Sequence, residues 1–154
     1  MAFVHNCPVA EANPRIREFV AAVEDVAGDK VFTQDQFQQK RFIEFWSHSN
    51  ITRYIKERDD YLFMLVGGEL VQMGGRDMTG KYLSEGNYLG TENDLRTYNA
   101  DVIREKRAIC CSASIDIVDH DYKAWLQVKI PFEMNGQQNH TLGLTVFESA
   151  KSQD

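Results

Sequence analysis

Apolar residues recur along this chain at two periods, and the order in which those periods alternate predicts its elements. Ile16, Phe19, Val20 and Val23 stand at i, i+3, i+4 and i+7 behind Asn13-Pro14, and Gly28 follows. A capping residue, a proline at the first helical position and a terminating glycine around that stripe predict a helix over 14–27. Residues 1–12 carry no period and are expected to form a flexible or docking arm. The stretch 33–48 is ambiguous. Thr33 with Gln36 fits a capping box, and Phe37, Arg41, Phe42 and Phe45 can line a helix, yet Phe42-Ile43-Glu44-Phe45-Trp46 is equally a β-rich run. We expect a helical turn near 34–39 and a strand at 41–47.

Residues 48–60 are polar, with a turn of helix expected around Ile51 to Lys56. The continuous apolar run from Tyr61 to Val66, ended by Gly67-Gly68, predicts a buried strand, and Glu69 to Met73 a brief helix. A long helix is expected over 92–106: Glu92 and Asp94 open it, Arg104 to Arg107 close it, and Leu95, Tyr98, Val102 and Ile103 form its stripe. Period-two alternation then runs through Cys111, Ala113, Ile115 and Ile117, through Trp125 to Ile130, and through Leu142 to Phe147. Breaks fall at Asp119-His120-Asp121 and at Asn135-Gly136, the second a strong hairpin signal. Strands split into a pair and a trio by a helical middle predict an α+β fold, one antiparallel sheet with helices gathered on one face.

Composition narrows the function. A chain of 154 residues that is 43% hydrophobic supports one core. A net charge of −6, without a concentrated basic stretch, speaks against nucleic acid. No run of 18 apolar residues and no signal-peptide pattern is present, and the three cysteines (Cys7, Cys110, Cys111) suit a reducing compartment, so no membrane contact and a cytoplasmic location are expected.

Catalytic patterns are thin. No serine stands in a pattern with a histidine and an acid, and the acids Asp59-Asp60 and Glu92 to Asp94 read as a solvated turn and a helix start. Asp119-His120-Asp121 offers three metal-ligating side chains, but a hairpin tip carries such residues for solvation, so no metal is expected. Gly75 to Gly80 lacks phosphate-loop and dinucleotide spacing and reads first as a turn, in which Asp77 and Thr79 bond the local backbone.

Leu65-Val66-Gly67, then Gly75-Arg76-Asp77-Met78-Thr79-Gly80 with Lys81-Tyr82-Leu83, and later Val128-Lys129-Ile130-Pro131-Phe132 with Asn135-Gly136, together resemble the PAS sensory domain, in particular the PAS-like family of alphaproteobacterial type. The likeness spans roughly residues 33–148, with 13–28 as a flanking helix. It implies a five-stranded antiparallel sheet, small helices, one long helix across a face and a small cavity between them. Trp46, Leu65, Tyr82, Tyr88, Leu95, Tyr98, Val102 and Cys111 are the candidate lining, since ligand sites are mostly apolar. Gly67, Gly75, Arg76, Asp77, Thr79 and Gly80 are the motif positions that form a candidate rim.

The resemblance leaves the cofactor unknown. Haem is not supported, because no histidine lies between 49 and 119. Photoactive flavin is not supported either, because Cys110 and Cys111 begin a strand. The function expected is a non-enzymatic sensory or regulatory module that binds a small ligand or a protein partner. It would signal through a homodimer formed by the N-terminal helix or through a separate signalling protein, since no output domain is present in the sequence. The alternatives are a small cone-shaped isomerase or dehydratase with an acid–base residue in its cavity, or a ligand-free scaffold.

Overall fold

The computed structural model describes residues 3–86, 91–114 and 122–149. Its elements are β1 (Phe3–His5), α1 (Pro8–Ala12), α2 (Pro14–Ala27), β2 (Phe32–Thr33), α3 (Gln34–Phe37), a 3₁₀ helix (Lys40–His48), β3 (Ser49–Ile55), β4 (Asp60–Val66), α4 (Gly68–Gly74), α5 (Glu92–Glu105), β5 (Ile109–Ser114), β6 (Tyr122–Met134) and β7 (Gln137–Ser149). All seven strands join one sheet. Six run antiparallel in the order β1-β5-β6-β7-β3-β4, and β2 pairs parallel with the end of β6 at Phe32 and Phe132.

Local signals set several boundaries. Asn13 caps α2 by accepting from the N–H groups of Arg15 and Ile16, and Thr33 and Gln36 form a reciprocal capping box. Asn135 and Gly136, with φ of 52° and 75°, supply the two left-handed residues that turn β6 into β7.

One face of the sheet is apolar. Ile51, Leu126, Val128, Ile130, Phe132, Leu142 and Leu144 point to it, and α1, α2, α3 and the 3₁₀ helix cover it with Ile16, Phe19, Val23, Phe37, Phe42 and Phe45. Its centre is aromatic: Phe32 lies 5.0 Å from Phe42 and 6.0 Å from Phe132, and Phe19 lies 5.1 Å from Phe45. Burying each such ring stabilises the fold by roughly 1.5–3 kcal/mol. The opposite face is covered by α5, which lays Tyr98, Asn99 and Val102 across β6 and β7.

Several expectations are corrected here. The sheet has seven strands where five were expected, and helices cover both faces where one was expected. The aromatic run at 41–47 is 3₁₀ helix, because a three-residue repeat buries Phe42 and Phe45 and leaves Ile43 and Trp46 outward. The strand lies one step later, over Ser49–Ile55, where a turn of helix was expected. Residues 3–12 are not a loose arm: β1 pairs with β5, and Cys7 N–H donates to the Cys110 carbonyl at 3.0 Å. The expected break at 119–121 lies outside the described residues.

Candidate functional site

In a sheet covered on both sides, residues that alternate with the apolar set still point into the protein. On the α5 side they are polar. Asn50 and Thr52 come from β3, Gln127 and Lys129 from β6, and Thr141 and Thr145 from β7, while Asn99 meets them from α5. All seven are buried. Register explains the grouping: Asn50, Gly143 and Lys129 lie in one row across three strands, and Thr52 and Thr141 stand opposite each other in the next.

Lys129 is the centre of this layer. Its side chain is 3% exposed, and its Nζ donates to Asn99 Oδ1 at 2.8 Å, with Thr52 Oγ1 and Thr141 Oγ1 farther off at 3.4 and 3.5 Å. Both threonine hydroxyls lie 3.0 Å from the same Asn99 Oδ1, and they also contact each other closely. The Tyr98 ring stands 5.8 Å from Nζ, within reach of a cation–π contact. Among the described residues no carboxylate pairs with Lys129. Desolvation pulls its ammonium down to about 8, an effect only partly offset by the nearby Cys111 thiol.

The surroundings are protonated and neutral. Burial pushes the Cys111 thiol up to about 12 and the Tyr98 phenol well above its ordinary value, and the Tyr98 hydroxyl donates to the Ile109 carbonyl at 3.0 Å. Gln127 Nε2 donates to Thr145 Oγ1 at 2.8 Å. Asn50 Oδ1 is buried with no hydrogen-bond partner, pressed against Gly143, where any Cβ would overlap it.

Asp60, the first residue of β4, is bonded by Ser84 and by its neighbour's N–H and paired with Arg96 of α5 at 3.2 Å. Burial works to raise its carboxyl, but the Ser84 and Tyr61 hydrogen bonds and the Arg96 charge outweigh that and leave it below its ordinary range. This pair ties the first half of α5 to β4.

The predicted lining residues separate into three groups. Tyr98, Val102 and Cys111 come together in one cluster on the α5 side, and Leu95 packs beside them against Tyr61, Phe63 and Leu83. Trp46 and Leu65 lie on the opposite side, 39% and 42% exposed, in a groove with Phe37 and Ile51. Tyr82 is at the outer edge of β4 under the Arg58 guanidinium, 3.7 Å from its ring centre. Tyr88 lies outside the described residues.

The motif positions form turns. Gly80 N–H donates to the Phe63 carbonyl and Phe63 N–H to the Lys81 carbonyl, so the segment Gly75–Gly80 docks on the edge of β4. Asp77 accepts from Thr79 N–H at 2.9 Å, and Arg76 donates to the Glu85 carbonyl at 3.4 Å. Gly67 is required by close approach, since a Cβ there would overlap the Ser47 carbonyl. None of these residues reaches the polar layer by a hydrogen bond.

Sequence reasoning passed over Lys129, Asn99, Thr52, Thr141 and Gln127. No family model matches this chain, and none of the curated proteins matches it. Among the described residues no helix is long and apolar enough to cross a membrane, and no three metal-ligating side chains converge.

Proposed function

We propose that the chain is a non-enzymatic PAS-like sensory or regulatory module that binds a small molecule against the polar face of its sheet, beneath α5. Lys129 carries the reading. A structural core gains little from a buried ammonium with no counter-charge, because desolvation costs several kcal/mol and one hydrogen bond from it to an amide oxygen returns about 1.5–3 kcal/mol. A site that must hold a polar ligand does gain from it. The order β4-β3-β7-β6-β5, a pair and a trio joined through α4 and α5, supports the sheet that the PAS resemblance implies.

Coupling would run through α5. That helix is anchored by Tyr98 and Val102, by the Arg96–Asp60 pair, and by Asn99 on Lys129. A ligand that takes over the Lys129 N–H groups removes the last anchor and shifts the helix between docked and displaced positions. The signal then passes to a second copy or to a separate signalling protein. The apolar stripe of α2 is spent on this chain's own sheet, so its outer, charged face would make any such contact.

Native mass spectrometry of freshly purified protein, joined to hydrogen exchange over 92–105, tests the reading. The expected result is a retained small molecule whose removal slows exchange in α5, because Asn99 regains its contact with Lys129. A ligand-free protein whose α5 exchange stays unchanged across a small-molecule screen contradicts it.

The same lysine favours a second reading, a small isomerase or dehydratase. An amine held at about 8 is within range of general-base work near neutral pH. This reading requires turnover that disappears in Lys129→Met, whereas the sensory reading requires binding alone.

A further inference from the structure

We infer that the molecule bound at this site is a small monocarboxylic acid, its carboxylate seated on Lys129 Nζ and the hydroxyls of Thr52 and Thr141. The inference rests on the binding-site reading above and adds the ligand's charge and its hydrogen-bonding character.

The contacts of the buried ammonium lead to it. An ammonium carries three N–H donors, and each threonine hydroxyl carries one O–H. Lys129 Nζ and the two hydroxyls lie 2.8, 3.0 and 3.0 Å from a single amide oxygen, Asn99 Oδ1, and the hydroxyls, which can also accept, contact each other closely. The amide oxygen has two lone pairs for these groups. Lys129 in turn has one short acceptor, while its other two contacts, at 3.4 and 3.5 Å, exceed good hydrogen-bond length. Asn99 Nδ2 is turned away and donates to the Leu95 carbonyl at 2.8 Å. The ammonium therefore has one short acceptor and, among the described residues, no counter-charge, and a carboxylate brings two acceptor oxygens and one negative charge.

The size of the charge and the surroundings narrow the class. One cation, with no other among the contacts of the layer, balances one negative charge, whereas a phosphate monoester brings about −1.5 to −2 at neutral pH. Tyr98, Val102, Ile109 and Cys111 pack beside the layer and favour an apolar body on the acid. The layer is closed, so the acid is admitted only when α5 lifts, which links occupancy to the movement proposed above.

The test compares matched acids and amides, acetate with acetamide and benzoate with benzamide, together with phenyl phosphate, on the full chain by calorimetry and amide-resolved NMR. The acid of a pair is expected to bind at least tenfold tighter than its amide, with shifts at Thr52, Asn99 and Lys129. Lys129→Met should fold and lose the acid's advantage while still binding the amide.

In the wild type, acid affinity should fall about tenfold per pH unit above about 8, as Lys129 loses its proton. The titratable groups facing Nζ are Cys111 from β5 and Tyr98 from α5, and both stay protonated in that range. From β3 and β7 only Thr52 and Thr141 face it. Equal binding of acid and amide, or an advantage that survives Lys129→Met, overturns the charge assignment and leaves the binding site standing. Tighter binding of phenyl phosphate overturns the carboxylate. Binding of none of these compounds, with no shifts around Lys129, overturns the inference and the site together.

Discussion

On one face of the sheet, Leu126, Val128, Ile130, Phe132, Leu142 and Leu144 meet α2, α3 and the 3₁₀ helix through rings packed 5–6 Å apart. On the other face the same two strands present Gln127, Lys129, Thr141, Gly143 and Thr145 to α5, and these are buried just as deeply. Equal burial thus serves two ends. The aromatic face supplies cooperative stability through close packing of rings and aliphatic side chains. The polar face gives some of that stability away, in an uncompensated ammonium and an amide oxygen without a partner. Sites of ligand recognition are where a protein tolerates such costs.

The comparison predicts its own breaking points. Removing residues 1–28 strips α1 and α2 from the aromatic face and uncovers Phe45, Leu126 and Leu144. The truncated chain is expected to lose its cooperative transition in circular dichroism, and a truncated chain that melts cooperatively near the wild-type temperature would show that the aromatic face does not carry the fold. Within that face, Phe132→Ala removes a buried ring touching Phe32 and Phe37 and should cost about 3–5 kcal/mol in urea unfolding. A cost below about 1 kcal/mol would mean that the two faces do not differ as described.

Lys129→Met is expected to change stability in the opposite direction, by about 1–3 kcal/mol at pH 7, because an apolar chain of similar length replaces a desolvated charge. The pH profile carries the sign. Folding lowers the Lys129 value to about 8 from 10.5, so the unfolded chain binds more protons between those values and wild-type stability rises with pH there. Folding raises Cys110 and Cys111 to about 12 from 9, so above pH 9 the folded chain binds more protons and stability falls. Lys129 alone should add roughly 1 kcal/mol between pH 8 and 9 and the two thiols together remove roughly 0.7, so wild-type stability should climb only slightly there and then decline. In Lys129→Met the climb is absent and the decline remains. A climb of the same size in the variant would show that Lys129 is not the group responsible.

The difference between the faces also explains what could be read from the sequence. Elements fixed by local chemistry were legible: α2 through Asn13 and Gly28, the capping box at Thr33 and Gln36, α5 through its charge order, and the turn at Asn135-Gly136. Elements fixed by what covers them were not. β3 places Ile51 on the aromatic face and Thr52 on the polar one, so it lacks the apolar alternation of a half-solvated strand. Lys129 stands between Val128 and Ile130 in a pattern that assumes its side of the sheet is wet. One signal was available: two helices each carry an apolar stripe, 14–27 and 92–105, and both stripes need a sheet face to cover. The candidate site was half legible for the same reason. Tyr98, Val102 and Cys111 were found as apolar lining, while the polar residues that give the site its charge were not singled out.

The smallest expected effect lies in the row Asn50, Gly143, Lys129. Gly143→Ala puts a methyl group onto Asn50 Oδ1 and within 3.4 Å of Gln127 and of the Lys129 stem, and should cost about 1–3 kcal/mol through crowding. Asn50→Ala by itself should be close to neutral, because the oxygen it deletes has no hydrogen-bond partner to lose. Combining the two removes the overlap, so the double variant should recover most of the loss, with a coupling of about 1–2 kcal/mol in a double-mutant cycle. On the aromatic face no such rescue is available, since truncating Leu144 or Phe132 only enlarges a void. A cycle with no coupling would place the crowding on β6 and make the polar face as tightly interlocked as the aromatic one, leaving no slack in that row to receive a ligand.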